Sequence, residues 1–236
     1  MIKQIYLFRG DDHETYEAFK DRVGKTVQSL AENKRILYLG YTITEEPPPK
    51  VSIIPFKKKK IAAITVKMKE EKPLEDMFRL EGFEGVYSVT EALPVAYEKT
   101  WVDGEKTPGV CLLTLFKQKK SIDYKTFLDR WHNSHTPLSL KIHPLWHYNR
   151  NVVEEKLSKH SAKWDGIVEE HMRSRSELLN PFKFFGNPLV IIPRMIQVYI
   201  DTKSFLDYNT IEPYLAIEYH LKANNLTNMS DKHNKR

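Results

Sequence analysis

The sequence contains little cysteine and little glycine. Cys111 is the single cysteine among 236 residues, which excludes an internal disulfide framework and a four-cysteine zinc site. The nine glycines form neither a Gly-x-Gly-x-x-Gly motif nor a phosphate-binding Walker loop, and no serine lies in a nucleophile elbow. Nucleotide-dependent chemistry and α/β-hydrolase chemistry are therefore not predicted.

Long hydrophobic runs are also lacking. The first apolar segment, residues 2–8, is too short for a secretory signal. The later segment 189–200 is broken by Pro193 and Arg194, and neither segment reaches the roughly 18–20 apolar residues of a membrane span. We expect a soluble, cytoplasmic protein with no membrane partner.

The positive charge is concentrated in two places. The net charge is +6, from 37 Lys+Arg and 31 Asp+Glu. Residues 57–60 are all lysine, and the polar segment from Lys222 to the end of the chain is also basic, so the rest of the protein is close to neutral. Such a run is usually a solvated loop, and we therefore expect no nucleic-acid partner.

A β-α-β-β-α-β pattern occurs twice along the chain. The first copy has predicted strands at 2–8, 35–44, 60–68 and 86–98, with helices at 12–33 and 73–83. The second has strands at 110–116, 143–153, 164–172 and 211–221, with helices at 122–135 and 174–185. The segment 186–208 is left unassigned.

The two copies align at an offset of 108 residues. The residues that recur are Tyr16, Phe19, Asp21 and Arg22, matched by Tyr124, Phe127, Asp129 and Arg130. This match indicates a tandem duplication, with repeats at 1–107 and 108–222 and a polar tail at 223–236 that we expect to be disordered.

The predicted fold class is α+β. Each repeat is predicted to form a ferredoxin-like unit with an antiparallel sheet and helices on one face. The uncovered sheet face must be buried, so the two sheets are expected to face each other as an intramolecular α/β barrel with helices outside. A homo-oligomer of this two-repeat chain is left open.

Three blocks of the second repeat carry a family resemblance. The first is a helix with Phe127, Trp131 and His135, followed by a small residue, Pro and Leu; the others are the strand block 147–152 and the Asp-Gly-apolar-x-Glu strand that begins at Asp165. This pattern resembles the EthD family over residues 110–221. The resemblance implies a fold of the dimeric α/β-barrel group.

The EthD resemblance implies the fold more firmly than a reaction. Relatives include a protein that accompanies ether-degrading oxygenases, fungal pigment-pathway dehydratases or decarboxylases and, more distantly, polyketide cyclases and muconolactone isomerases. Many EthD-like proteins have no known activity.

His135 is the first candidate for acid–base chemistry. It lies four and eight residues after Trp131 and Phe127, on one helical face, and Pro137 predicts that the helix ends close to it. One interpretation makes His135 a general acid or base beside an aromatic wall. The other makes Trp131 a core anchor and His135 a structural strut, and in the first repeat Val23 and Val27 stand at these two positions.

Polar residues of the following strands could complete this site. Strand alternation places Asp165, Glu169 and His171 on one side, either lining the barrel or facing solvent. We name His135, Glu169 and Asp165 as candidate catalytic residues. The candidate substrate-binding residues are Phe127, Trp131, Tyr148 and His171.

Four histidines, at positions 132, 135, 143 and 147, crowd this region. His132 and His135 have a spacing compatible with metal ligation on a helix, but they point to different faces and no carboxylate joins them locally. No cofactor and no metal site are predicted, and haem or a histidine-bound metal remains the alternative.

The predicted function is the binding or transformation of a small hydrophobic carbonyl compound, aromatic or polyketide-like, by acid–base chemistry without a redox cofactor. An enzyme of this kind would be a lyase, isomerase or cyclase. The alternative is a non-catalytic accessory or assembly protein with a packed barrel.

Overall fold

The computed structural model describes residues 1–223, so the predicted disordered tail lies, apart from Ala223, outside the described residues. The strands are β1 (Ile2–Arg9), β2 (Ile36–Ile43), β3 (Ile61–Met68), β4 (Phe83–Val95), β5 (Val110–Phe116), β6 (Leu145–Lys156), β7 (Gly166–Met172) and β8 (Glu212–Lys222). The α-helices are α1 (Tyr16–Ala31), α2 (Tyr124–Asp129), α3 (Thr136–Ile142), α4 (Arg175–Leu179), α5 (Pro181–Phe184) and α6 (Ile191–Phe205). Shorter helical turns are Glu75–Arg79, the π-helical turn Arg130–His135, and Tyr208–Thr210.

The strands of residues 1–223 close into an antiparallel barrel in the order β1-β3-β2-β8-β5-β7-β6-β4. Each half has the ferredoxin-like order, β4-β1-β3-β2 in the first and β8-β5-β7-β6 in the second. The halves are joined by hydrogen-bonded pairing of β2 with β8 and of β4 with β6. The predicted fold, two tandem units that form one intramolecular barrel, is confirmed.

The two surfaces of the barrel wall are both covered by apolar side chains. Part of the inward-facing set forms a hydrophobic cluster that includes Ile5, Leu7, Leu113 and Ile167. Outside the first half, α1 packs Phe19, Val23 and Val27 into a second cluster. The valines of the first repeat are therefore core residues.

The helix that carries His135 does not end near that residue, contrary to the prediction. At this turn the N–H of Thr136 donates to the carbonyl of Trp131, five residues earlier, where an α-helix has a spacing of four. This widening accommodates Pro137, which lacks an N–H, and α3 continues to Ile142. His135 thus lies in the middle of a continuous helical segment.

Other local predictions also need correction. The predicted helix 174–185 is divided into α4 and α5 by Asn180, which caps the second helix ahead of Pro181. The predicted helix 73–83 is a single 3-10 turn, and the unassigned segment contains α6. Lys60, expected in a solvated run, is buried against the ring of Tyr16. Within residues 1–223, no helix is long and apolar enough to span a membrane.

Candidate functional site

A cavity of about 490 Å³ lies between the outer sheet face of the second half and the helices that cover it. We call it the helix-side cavity. The sheet wall comes from β5, β6 and β7, the opposite wall from the π-helical turn, α3, α5 and α6, and the rim in part from the β2–β3 loop. Its chemically relevant lining residues are Trp131, His135, Ser139, His143, Tyr148 and Glu170.

Strand alternation determines which residues reach this cavity. On β5 and β7 the even-numbered side chains, such as Leu112, Val168 and Glu170, line it, whereas Leu113 and Ile167 point into the barrel cluster. Gly166 begins β7 beneath the aromatic wall. A Cβ there would lie 2.3 Å from the ring of Phe116 and 2.9 Å from Trp131, so glycine leaves the space that these rings occupy.

A chain of hydrogen bonds runs along the helical wall. His135 Nδ1 lies 2.7 Å from the carboxylate of Asp201 on α6, and His135 Nε2 lies 3.1 Å from the hydroxyl of Ser139. Ser134 donates a second hydrogen bond to Asp201 at 2.6 Å. His135 and Asp201 are both half-buried, whereas Ser139 is fully buried.

Asp201 is held as an anion. Burial alone would raise the pKa of its carboxyl group, but the hydrogen bonds from His135 and Ser134 bring the pKa below its ordinary value. An ionised carboxylate only accepts hydrogen bonds, so the proton of the pair lies on His135 Nδ1. In the neutral imidazole, Nε2 then accepts the hydroxyl proton of Ser139.

Glu170 is the carboxyl group of the opposite wall. It lies half-buried on β7 beside Tyr148, its antiparallel partner on β6. Desolvation by the surrounding protein raises the pKa of Glu170 from 4.5 to about 7, although the charge of His135 acts in the opposite direction. Its accessible surface faces the cavity, since Glu170 is one of the lining residues. Near neutral pH this group can therefore both accept and release a proton.

His143 adds a neutral imidazole to the wall. Burial lowers the pKa of His143 to about 4, and its ring stacks on Phe184 with ring centres 4.0 Å apart. The carbonyl of Phe184 lies 3.1 Å from Nδ1 and can only accept a hydrogen bond, so Nδ1 carries the proton. Nε2 of His143 is left as an acceptor.

Trp131 and Tyr148 form the aromatic end of the cavity. Both are buried, and Trp131 Nε1 donates to the Tyr148 hydroxyl at 3.4 Å. Arg150 lies over the Trp131 ring and donates to Thr136 at 2.6 Å. Phe127 packs against Trp131 with ring centres 5.5 Å apart, in the core cluster that supports this wall.

The structure does not bring all the sequence-predicted site residues together. His135, Trp131 and Tyr148 line the helix-side cavity. Glu169 points into the barrel, where it accepts hydrogen bonds from Thr42 at 2.5 Å and Asn149 at 3.1 Å. The grouping of Glu169 with His135 in one site is therefore wrong, because the two lie on opposite faces of the sheet.

His171 and Asp165 also lie away from His135. His171 is buried in the barrel, 3.8 Å from Glu218 and beside His147. Asp165 lies in the loop before β7, where it accepts a hydrogen bond from the backbone N–H of Gln118 at 2.8 Å. Neither residue is part of the helix-side cavity lining.

Sequence reasoning missed Glu170, Ser139 and Asp201. The sequence pattern does not distinguish Glu170 from its neighbour Glu169, because both faces of β7 mix polar with apolar residues. Ser139 lies four residues after His135, a spacing that places both on one helical face. Asp201 falls in the unassigned segment, where it is the single acidic residue between positions 189 and 206.

The crowded histidines are distributed over separate environments. His135 and His143 line the cavity, whereas His147 lies in the barrel mouth beside Tyr97 and His171. In the part of the chain that the structure describes, no group of three or more His, Cys, Asp or Glu side chains is arranged to hold a metal ion.

Comparison with solved structures finds the same fold. An anthrone oxidase-like protein superposes with a TM-score of 0.56 at 9% identity, over 93% of this chain and 90% of that chain. A protein described as a proposed monooxygenase, from Fusobacterium nucleatum subsp. nucleatum, superposes with a TM-score of 0.50 at 12% identity, over 94% and 92%. At these identities the likeness shows the fold alone.

Sequence comparison adds no family assignment. No protein-family model matches the chain, and no curated protein matches its sequence.

Proposed function

We propose that the helix-side cavity binds a small hydrophobic carbonyl compound, aromatic or polyketide-like, and that Glu170 and His135 move protons on it without a redox cofactor. The observation that carries this proposal is the position of Glu170. Its carboxyl group, with a pKa of about 7, stands on the wall of a mainly apolar cavity. A perturbed titratable group in such a cavity is a typical feature of acid–base sites.

The cavity is suited in size and lining to a flat hydrophobic molecule. Its volume of about 490 Å³ falls within the range of small-molecule sites. Aromatic rings from three elements line it, with Phe116 on β5, Trp131 on the π-helical turn and Phe184 on α5. Aromatic side chains contact flat ligands through their faces and edges.

The polar groups are suited to removing a proton from carbon. The Glu170 carboxylate would accept a proton from a carbon that a carbonyl group acidifies, while the C–H electron pair moves into the enolate and onto its oxygen. A donor must then stabilise that oxygen. When His135 holds a proton on Nε2 as well as on Nδ1, Nε2 donates to Ser139, and the Ser139 hydroxyl is then free to donate to the enolate oxygen. Return of the proton to another carbon completes an isomerisation. In a cyclisation the enolate carbon instead bonds to a second carbonyl carbon of the ligand, and the oxygen of that carbonyl takes the electron pair and the proton.

The family resemblance and the fold comparisons support this class of ligand. The EthD-like blocks include Trp131, His135 and Tyr148, and all three line the cavity. The two solved structures have names that refer to an anthrone oxidase and to a monooxygenase. Those names concern those proteins, and they support an aromatic ligand here by analogy of fold alone.

Proton exchange on a model ketone tests the proposal. Anthrone, a three-ring aromatic ketone with an acidic CH₂ group, is incubated with the protein in D₂O, and deuterium incorporation is followed by mass spectrometry. We expect faster exchange than in buffer, a loss of roughly 100-fold or more in Glu170→Gln, and no loss in the exposed-surface control Glu155→Gln. Exchange at the buffer rate with saturating bound ketone, or full activity of Glu170→Gln, would contradict proton transfer by Glu170.

A binding protein without catalysis is the second candidate. The hydrophobic cluster in the barrel interior favours it, since packed side chains fill that part of the interior. This candidate predicts that anthrone quenches tryptophan fluorescence equally in wild type and Glu170→Gln, with exchange at the buffer rate in both.

A further inference from the structure

The outer face of α6 and the residues just before it carry a stripe of exposed apolar side chains beside the cavity mouth. The stripe consists of Leu189, which precedes α6, and Ile192, Ile196 and Ile200 on the helix; they are 87%, 60%, 53% and 63% exposed. The last three are spaced by four residues and so lie along one side of the helix. Tyr199, next to Ile200, is also exposed and lines the cavity, so the stripe adjoins the mouth.

The β2–β3 loop extends this surface. Ile53 and Lys57 line the same cavity as Tyr199, and the backbone N–H of Lys57 bonds the carbonyl of Pro213 at 2.8 Å, which holds the loop against β8. Val51 is 91% exposed. The loop therefore brings Ile53 and Lys57 to the rim of the mouth, and the exposed Lys58 and Lys59 follow directly in the chain.

The two segments that form the surface are basic. Residues 50–59 contain four lysines and no acidic residue. Residues 189–206 contain Arg194, Lys203 and one acid, Asp201, which is turned inward to His135 and Ser134. An apolar helix face flanked by lysines matches the surface of an anionic bilayer, with the apolar side chains in the acyl boundary and the lysines at the headgroups.

We infer that α6 and the β2–β3 loop dock the protein on an anionic phospholipid membrane, with the mouth of the helix-side cavity turned toward the lipid. This inference replaces the expectation of no membrane partner, which rested on the lack of a spanning segment and does not concern docking at a surface. A hydrophobic ligand would then enter from the bilayer. Self-association through this face is disfavoured, because two copies would bring two lysine-rich segments together. The docking surface does not depend on whether the cavity ligand is transformed.

Vesicle co-sedimentation tests the inference. The full chain is mixed with vesicles of phosphatidylcholine, with and without phosphatidylserine, at low and high salt. We expect sedimentation with the phosphatidylserine vesicles, weakened by salt, and little with pure phosphatidylcholine. No binding to phosphatidylserine vesicles, or equal binding to both kinds, would overturn the inference.

Two variants and their controls locate the surface. Lys58→Gln/Lys59→Gln should lower the partition coefficient roughly 30-fold, and Ile196→Ser/Ile200→Ser by about tenfold or more. The matched controls, Lys25→Gln/Lys34→Gln and Val102→Ser, alter exposed residues elsewhere and should leave it unchanged. Unchanged binding in both test variants would overturn the inference, as would an isoleucine-dependent dimer that binds no vesicles. Glu170→Gln should sediment like wild type, which separates docking from catalysis.

A spectroscopic label reports the depth of insertion. Cys111 is fully buried, so a cysteine introduced as Ile196→Cys can be labelled selectively with an environment-sensitive fluorophore. Phosphatidylserine vesicles should shift its emission to the blue, and the control Val102→Cys should show no shift. A shift of the control alone would contradict the proposed orientation.

Discussion

The carboxylate of Asp201 on α6 lies 2.7 Å from Nδ1 of His135. This contact links a segment that the sequence left unassigned to the helix that carries the first candidate catalytic residue. The carboxylate occupies Nδ1, so Nε2 is the nitrogen of His135 that faces the cavity wall, where it lies 3.1 Å from the Ser139 hydroxyl.

The first prediction concerns the tautomer of His135. With Asp201 accepting from Nδ1, the neutral imidazole should carry its proton there. Long-range ¹H–¹⁵N correlation spectra should show this tautomer in the wild type and lose the preference in Asp201→Ala. The control Asp207→Ala, in the loop after α6, should leave it unchanged. An Nε2-protonated ring in the wild type would show that Asp201 does not orient His135.

The second prediction concerns Glu170 and the loss of stability as the pH rises from 4.5 to about 7. Desolvation raises the pKa of Glu170 to about 7, so the folded state holds a proton that the unfolded chain releases above pH 4.5. Its contribution to stability is complete below that pH and is lost as the pH rises through about 7. Allowing for access of solvent to the cavity, the loss is about 2 kcal/mol.

Denaturant unfolding at pH 5 and pH 8 measures this loss. Glu170→Gln cannot ionise, so its free energy of unfolding should fall less between the two pH values than that of the wild type. Glu155→Gln, an exposed substitution, should follow the wild type. The same pH dependence in Glu170→Gln and wild type would show that the carboxyl group ionises normally.

The third prediction concerns His143 and the loss of stability in acid. The pH direction is opposite to that for Glu170. Burial lowers the pKa of His143 to about 4, so the unfolded chain binds a proton at this position before the folded state does. Stability should therefore fall as the pH drops from about 6.5 toward 4. His143→Asn, whose amide can still donate to the Phe184 carbonyl, should flatten this fall. A His143 ring resonance that titrates near pH 6.5 in the folded protein would contradict the assignment.

The fourth prediction concerns the glycine under the aromatic wall. Gly166→Ala places a Cβ 2.3 Å from the ring of Phe116, and the resulting displacement should cost about 1–3 kcal/mol. Gly24→Ala is the matched control, because it lies inside α1 with no atom within 4 Å of the added Cβ. It should stabilise the protein by about 0.5–1 kcal/mol. Equal changes in the free energy of unfolding of the two variants, measured in urea, would show that Phe116 and Trp131 can move apart freely.

The barrel could be predicted from sequence because the evidence for it is periodic and repeated. Tyr16 and Tyr124, 108 residues apart, each begin a helix capped by the preceding side chain, from Thr15 or Asp123. The site was harder to predict. Pro137 indicated a helix end, but a π-helical turn, which depends on tertiary packing, carries the helix through it.

The sequence also did not show which face of the strands forms the site. Alternation correctly placed Glu169 and His171 together, but it does not say which side of the sheet a site occupies. The cavity exists because α6 and α5 cover the outer face of the second half. The sequence predicted neither α6 nor α5 as a separate helix. Glu170 therefore became visible as a candidate only with those helices in place.

The central claim is that the ligand binds outside the barrel wall, against the outward-facing side chains of β5 and β7. Methyl NMR with anthrone tests it directly, since adjacent residues face opposite sides. The methyl groups of Leu112, Val168 and Met195 line the cavity, whereas those of Leu113 and Ile167 lie in the barrel. Anthrone should shift the methyl resonances of Leu112, Val168 and Met195 and leave those of Leu113 and Ile167 unchanged. Shifts of Leu113 and Ile167 alone would contradict it.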